Sequence, residues 1–292
     1  VIVATPAQWL EGARLRTWPA SISPVLVGTG AAAAADSFVA WKAALALVVA
    51  IALQVGSNYA NDYSDGIRGT DDHRVGPLRL VGSGAATPAS VKAAAFASFG
   101  VAAICGLILA LATAWWLVLV GVAAIAAAWF YTGGSRPYGY RALGEVSVFV
   151  FFGLVAVIGT TYVQVLRVTW PAVAGAIAIG ALTCAILVAN NLRDIPTDQE
   201  SGKRTLAVVL GDPRTRTLYV ALQVVAYALV ILLALTTTPW ALLALLSLPL
   251  AVRPVRQLLS GITGRPLIAV LRDTGVAELA FAFLLTVGLA LA

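Results

Sequence analysis

The chain has 292 residues, of which 60% are hydrophobic and only 11% charged. A soluble domain carries about a quarter charged residues, so this composition cannot clothe a water-facing globule. Mean hydropathy of +0.92 points the same way. A soluble enzyme, a disordered chain and a nucleic-acid-binding domain are excluded, despite a net charge of +6. The composition describes one polytopic integral membrane domain over residues 1–292.

A hydrocarbon core about 30 Å thick needs about 20 mostly apolar residues per helix. In chain order that ruler gives about nine spans, near 18–35, 38–62, 92–112, 114–131, 145–165, 170–194, 216–236, 239–259 and 274–292. All are expected to be α-helical, because lipid demands that a segment pair its own backbone. With the amino terminus in the cytoplasm, 17 of the 19 Lys and Arg fall on the cytoplasmic side. Only Lys42 and Arg167 lie opposite, a strong positive-inside bias. The long connections, 63–91, 132–144 and 195–215, then share the cytoplasmic face, where function is sought. The start lacks a basic stretch before an apolar run, so no cleavable signal peptide is expected. The chain opens on Val1 without any Met, so the initiator is missing or was read as valine. Cys105 and Cys184 sit in separate apolar runs and read as small core residues. The lone His73 excludes a histidine-rich metal or haem site.

More than half of the 13 acidic residues gather in two clusters. The first closes span two, from Asn58 through Asn61, Asp62 and Asp65 to Asp71 and Asp72. The second closes span six, from Asn190 through Asp194 and Asp198 to Glu200. Residues four apart share a helix face. Asn61 therefore pairs with Asp65 and Asn58 with Asp62, while Asn190, Asp194 and Asp198 form a stripe if the helix continues past Pro196. Both spans end on the same side, so two carboxylate sets lie at one depth. Like charges 4 Å apart repel by roughly 4 kcal/mol at an effective dielectric of about 20, so such groups protonate or hold cations. Oxygen-only donors suit a hard cation. Mg²⁺ in particular uses one or two carboxylates and leaves positions for phosphate oxygens. Two such sets facing each other would clamp a diphosphate.

Cations flank both clusters, with Arg74 and Arg79 after the first and Lys203 and Arg204 after the second. They are placed to neutralise charge on a departing diphosphate. A third loop, Tyr131 to Glu145, is rich in Gly and Tyr. It offers close backbone approach and aromatic faces.

At this point the motifs resemble a known family, the UbiA superfamily of intramembrane aromatic prenyltransferases. Asn61-Asp62-Tyr63-Ser64-Asp65 looks like its first aspartate-rich motif. Asp194xxxAsp198 followed by Gly202-Lys203-Arg204-Thr205 looks like the second. Within the superfamily, the strings Arg74-Val75-Gly76-Pro77-Leu78-Arg79, Pro137-Tyr138-Gly139-Tyr140-Arg141 and Asn190-Asn191-Leu192-Arg193-Asp194 are most similar to the branch acting on 1,4-dihydroxy-2-naphthoate. The likeness covers nearly the whole chain and is weakest after about residue 215. Where the broad family has a third Asp in the first motif, this chain has Gly69, with Asp71 two residues on.

The resemblance implies nine helices around a central cavity opening to membrane lipid. It also implies Mg²⁺-dependent transfer of a polyprenyl group from its diphosphate to 1,4-dihydroxy-2-naphthoate, with loss of CO₂ and diphosphate. The setting would be a bacterial cell membrane with the site on the cytoplasmic side. Asp62, Asp65, Asp194, Asp198 and Lys203 are the expected catalytic residues, and Asn61, Asp65, Asp194 and Asp198 the expected Mg²⁺ ligands. Arg74, Arg79, Lys203 and Arg204 would hold the diphosphate. Asn58, Asn190, Tyr63, Tyr138, Tyr140 and Arg141 would bind substrate. The tyrosines and the Phe149–Phe152 run would keep water from an allylic cation. Loss of CO₂ restores the ring's aromaticity, so the last step needs no base. The long chain stays in lipid, at about 0.8 kcal/mol per buried CH₂.

Other readings remain at this stage. The acceptor could be 4-hydroxybenzoate, homogentisate or a chlorophyllide. A cation-coupled transporter also places carboxylates in membrane helices, but near the midplane rather than at one face. A head-group alcohol phosphotransferase would begin Asp-Gly-x-x-Ala-Arg, which Asp65-Gly66-Ile67-Arg68 does not continue.

Overall fold

The computed structural model describes residues 4–69 and 78–292, and every described element is helical apart from one isolated bridge between Arg141 and Arg204. A short α1 (Pro6–Gly12) precedes α2 (Pro19–Ala33) and α3 (Ala40–Gly66). Next come α4 (Pro88–Leu111), α5 (Leu117–Phe130) and α6 (Gly144–Val165). The long α7 (Trp170–Glu200) is followed by a single turn, α8 (Leu206–Leu210), and by α9 (Asp212–Thr236). The chain closes with α10 (Pro239–Leu259) and α11 (Leu267–Ala290). Among the described residues, α3, α4, α6, α7, α9 and α10 are long and apolar enough to cross a membrane. The protein is a multi-pass membrane protein.

Local chemistry sets several helix starts. Thr87 and Thr169 cap α4 and α7 by accepting the amides of Ser90 and Ala172, and Thr238 caps α10 by accepting that of Trp240. Each threonine is followed within two residues by a proline, whose missing N–H costs nothing in a first turn. Pro196 is different, since it sits inside α7. Its ring deletes one backbone bond, yet the helix runs on to Glu200. The stripe of Asn190, Asp194 and Asp198 is therefore continuous.

Helix α7 is the central post. Of its apolar window 78% is buried, against 22–33% in the other five long helices. Nearly half of its buried residues are Ala or Gly, and small residues let membrane helices approach closely where no hydrophobic drive separates helix from lipid. One close backbone approach is to α6. A Cβ on Gly153 would lie 2.7 Å from Gly180 Cα and 2.8 Å from the Ala176 carbonyl. Gly153 lies in a π-helical stretch, Phe149–Val155, that widens α6 here. The extra residue per turn re-aims its phenylalanines. Phe151 and Phe152 line the central cavity, whereas Phe149 packs over Gly180.

Five tryptophans, Trp41, Trp115, Trp116, Trp170 and Trp240, are 40–74% exposed. All lie at the end of the bundle opposite the aspartates, near the start of α3, α5, α7 and α10. Such a ring is what a membrane–water interface favours.

Gly153→Leu is expected to destabilise the protein by about 1–3 kcal/mol through overpacking. Gly100→Ala adds a methyl with nothing within 4 Å and serves as the neutral comparison. Thermal midpoints in detergent check the pair.

Candidate active site

The ends of α3 and α7 open into one cavity of about 420 Å³. Asn58, Asn61 and Asp65 line it from α3, and Asn190, Asp194 and Asp198 from α7. Arg79, Tyr138, Tyr140 and Lys203 complete its polar rim. Farther along, the lining becomes Ala, Val, Leu and Phe.

Asp65 draws partners from three separate segments. Tyr140 Oη donates to its Oδ1 at 2.5 Å, and Lys203 Nζ donates to its Oδ2 at 3.4 Å. Arg79 Nη2 stands 3.7 Å from Oδ2. The Lys203 ammonium also lies 4.6 Å from the Tyr140 ring centre. Lys203's own amide donates to the Asp198 carbonyl at 2.8 Å. A single lysine thus spans the two acidic motifs. On the facing helix, Arg193 holds Asp194 with Nε and Nη2, both at 2.6 Å. Arg193 Nη2 also reaches Asn190 Oδ1 at 2.9 Å. Asp198 accepts from Thr205 Oγ1 at 3.3 Å.

The loops around this rim are stitched to it. Arg204's amide donates to the Tyr140 carbonyl at 3.0 Å, joining the connection before α6 to the one after α7. Thr132 Oγ1 donates to Asn61 Oδ1 at 2.7 Å. Arg68 ties the end of α3 to the carbonyls of Thr132 and Gly134. Tyr131 lines the cavity beside them. Burial pushes the Tyr138 phenol up, with a hydrogen bond from Ser147 opposing the shift.

Four expected site residues lie elsewhere. Asp62 points away from the cavity, where its Oδ2 accepts the Leu80 amide at 2.7 Å and its Oδ1 the Val81 amide at 2.9 Å. Its work is structural, since it pins the segment that carries Arg79. Tyr63 stacks on Trp129 with ring centres 6.1 Å apart, beneath the Lys92 ammonium. Arg141 and Arg204 are exposed and contribute their backbones to the bridge. The reason is helical phase: residues 62 and 63 are turned about 100° and 200° from Asn61 on a helix of 3.6 residues per turn. Arg74, Asp71 and His73 lie outside the described residues. Arg68, Thr132, Arg193 and Thr205 carry no site role in the sequence reading. Arg193 had a signal, being adjacent to Asp194 and three residues after Asn190. The contacts of Arg68 and Thr132 cross more than 60 residues and leave no local trace.

Among the described residues no three acidic, histidine or cysteine side chains gather into a metal nest. The donor chemistry still fits Mg²⁺. Asp65, Asp194, Asp198 and Asn61 present only hard oxygens to one cavity, and this ion takes few carboxylates when phosphate supplies the rest.

A helical membrane bundle whose two Asn/Asp motifs flank a cavity with a polar rim and mainly apolar walls defines an intramembrane transferase architecture. Residues 21–266 match the model of the UbiA prenyltransferase family, and the chain belongs to that family. It is 60% identical over 280 residues to the 1,4-dihydroxy-2-naphthoate octaprenyltransferase of Mycobacterium tuberculosis, covering 96% of each chain. It is 39% identical to the Escherichia coli protein of the same name, over 86% of this chain and 84% of that one. In fold it is similar to a UbiA homolog from Aeropyrum pernix (TM-score 0.71, 18% identity, 92% of this chain and 96% of that one). It is also similar to one from Archaeoglobus fulgidus bound to GPP and Mg²⁺ (TM-score 0.66, 13% identity, 95% and 99%).

Asp62→Ala leaves the amides of Leu80 and Val81 unpaired in a buried place, at a cost of about 1–3 kcal/mol. Hydrogen exchange should accelerate at those two amides, and unchanged protection there would contradict the clamp.

Proposed function

We propose that this chain transfers a polyprenyl group from its diphosphate to 1,4-dihydroxy-2-naphthoate, releasing diphosphate and CO₂. The observation that carries the reading is Lys203, whose amide holds the Asp198 carbonyl while its ammonium faces Asp65. It sits at the mouth of a cavity that turns from oxygen donors to apolar walls. That gradient suits a molecule with a diphosphate head and a hydrocarbon chain. The Mycobacterium and Escherichia relatives bear names that specify the naphthoate as acceptor.

The setting is a bacterial cell membrane, with nine spans and the aspartate end in the cytoplasm. Charge asymmetry supports this, because Lys42 and Arg167 alone sit at the tryptophan end. Lys42 is itself tied to the Val163 carbonyl at 2.6 Å.

Asn61, Asp65, Asp194 and Asp198 would hold Mg²⁺, as in the sequence reading, with Asn190 beside them. Bound there, the ion would supply positive charge to the diphosphate as its bond to the prenyl carbon breaks. Arg79 and Lys203 share that task, each standing within 4 Å of Asp65. Tyr140 fixes the carboxylate of Asp65 in one orientation. Arg193 holds Asp194 in one alignment. Phe151 and Phe152 help exclude water from the allylic carbon. The ring carbon that bears the carboxylate forms the new C–C bond. When the bond to the carboxylate breaks, its electron pair returns to the ring, so no protein base is required.

Asp65→Ala and Asp194→Ala should each lower turnover by a hundredfold or more, on the order seen when a transition-state charge stabiliser is lost. Membrane insertion should persist in both. EDTA should stop the wild-type reaction and added Mg²⁺ restore it. The deciding assay offers one polyprenyl diphosphate with several aromatic acceptors and follows released CO₂. Full activity in chelator, or turnover with an acceptor other than the naphthoate alone, would overturn the reading.

A further inference from the structure

Arg14 joins α1 to the turn that leads into α2, and its backbone is left-handed at φ 53°, ψ 60°. L-residues avoid that region, glycine and asparagine excepted, so an arginine there is held against its preference. Strain of this kind is evidence of a constraint imposed by function or by surrounding structure. The side chain lines the central cavity. Its Nη2 is buried and has no hydrogen-bond partner among the described residues.

The surroundings make that vacancy specific. Asn58 Nδ2 donates to the Ala13 carbonyl at 3.1 Å and to Thr17 Oγ1 at 3.2 Å. Gln54 Nε2 donates to Thr17 Oγ1 at 3.1 Å, and Ser21 Oγ donates to Gln54 Oε1 at 3.3 Å. This network is neutral throughout and satisfies itself, so it offers the guanidinium no counter-charge. The arginine stays protonated at any ordinary pH. A buried donor of a permanent cation is costly unless an anion arrives to meet it.

Position argues for which anion. Arg14 is anchored beside Asn58, seven residues before Asp65 on α3, or about 10 Å at 1.5 Å per residue. The diphosphate is already served at the Asp65 level by Arg79 and Lys203. A second anionic group in the same cavity, deeper than the first, matches an aromatic acceptor that carries its own carboxylate. Resting on the prenyl-transfer reading, we infer that Arg14 binds the carboxylate of the aromatic acceptor and so selects aromatic acids over phenols. Such a grip is made in the ground state and loosens as the carboxylate leaves as neutral CO₂. Arg14 is thus a specificity determinant whose loss raises KM for the acceptor rather than lowering kcat.

The test uses the full-length protein in detergent with Arg14→Asn, which is neutral and tolerates the left-handed backbone, and Arg14→Lys, which keeps a point charge. Arg14→Asn should raise KM for the naphthoate about ten- to a hundredfold, the loss of a charged hydrogen bond. KM for the polyprenyl diphosphate should hold, and Arg14→Lys should recover part of the loss. As inhibitors, 2-naphthoate should outcompete 2-naphthol on the wild type, and Arg14→Asn should erase that difference. A rise in KM for the diphosphate with acceptor KM unchanged would overturn the inference, as would a wild type that binds 2-naphthol as tightly as 2-naphthoate. If the wild type prenylates a different aromatic acid, the naphthoate reading falls. Arg14 is then judged by the same KM comparison on that acid.

Discussion

Carboxylates kept at the edge of a membrane must be answered by positive charge, and the architecture of this protein follows from that requirement. Asp65 and Asp194 are both buried at the mouth of an apolar cavity. Left alone, like charges at this depth would repel each other. Asp65 is met by Lys203 and Arg79, and Asp194 by Arg193. The partners differ in kind. Arg193 is a neighbour on the same helix and grips with two nitrogens. Lys203 and Arg79 arrive from separate segments and stand farther off, at 3.4 and 3.7 Å.

The helices that present these groups depend on α7. Its run of small residues draws α6 close enough that Gly153 and Gly180 nearly touch. The π-helical stretch in α6 is the local cost of that closeness, and it turns Phe151 and Phe152 toward the cavity. Dry walls and charged rim are consequently products of one packing arrangement. A bulkier α7 would push away the aromatic wall as well as the helix that bears it.

Much of this was legible in the sequence, because two signals are strictly periodic. Spans announce themselves by apolar length, and each expected window holds a described helix, although α2 and α5 have only 15 and 14 residues. The four-residue spacing of Asn61 with Asp65, and of Asn190, Asp194 and Asp198, placed all five in the cavity. Adjacent residues were less well served. Asp62 was expected among the catalytic residues as part of the first motif, but its phase on α3 turns it to the amides of Leu80 and Val81. Tyr63 fails for the same reason. Arg68 and Thr132 could not be read at all, since their partners are set by how two loops fold over each other.

The backbone bond between Arg204 and Tyr140 makes the two rim connections one mechanical unit. Tyr140 and Lys203 both depend on that unit for their approach to Asp65. Lengthening either connection by a residue would shift the register of both, so evolution has little room to vary one without the other. Relatives that differ in which ring they modify should therefore vary along the cavity wall, while the lengths of these two rim segments change together or stay fixed.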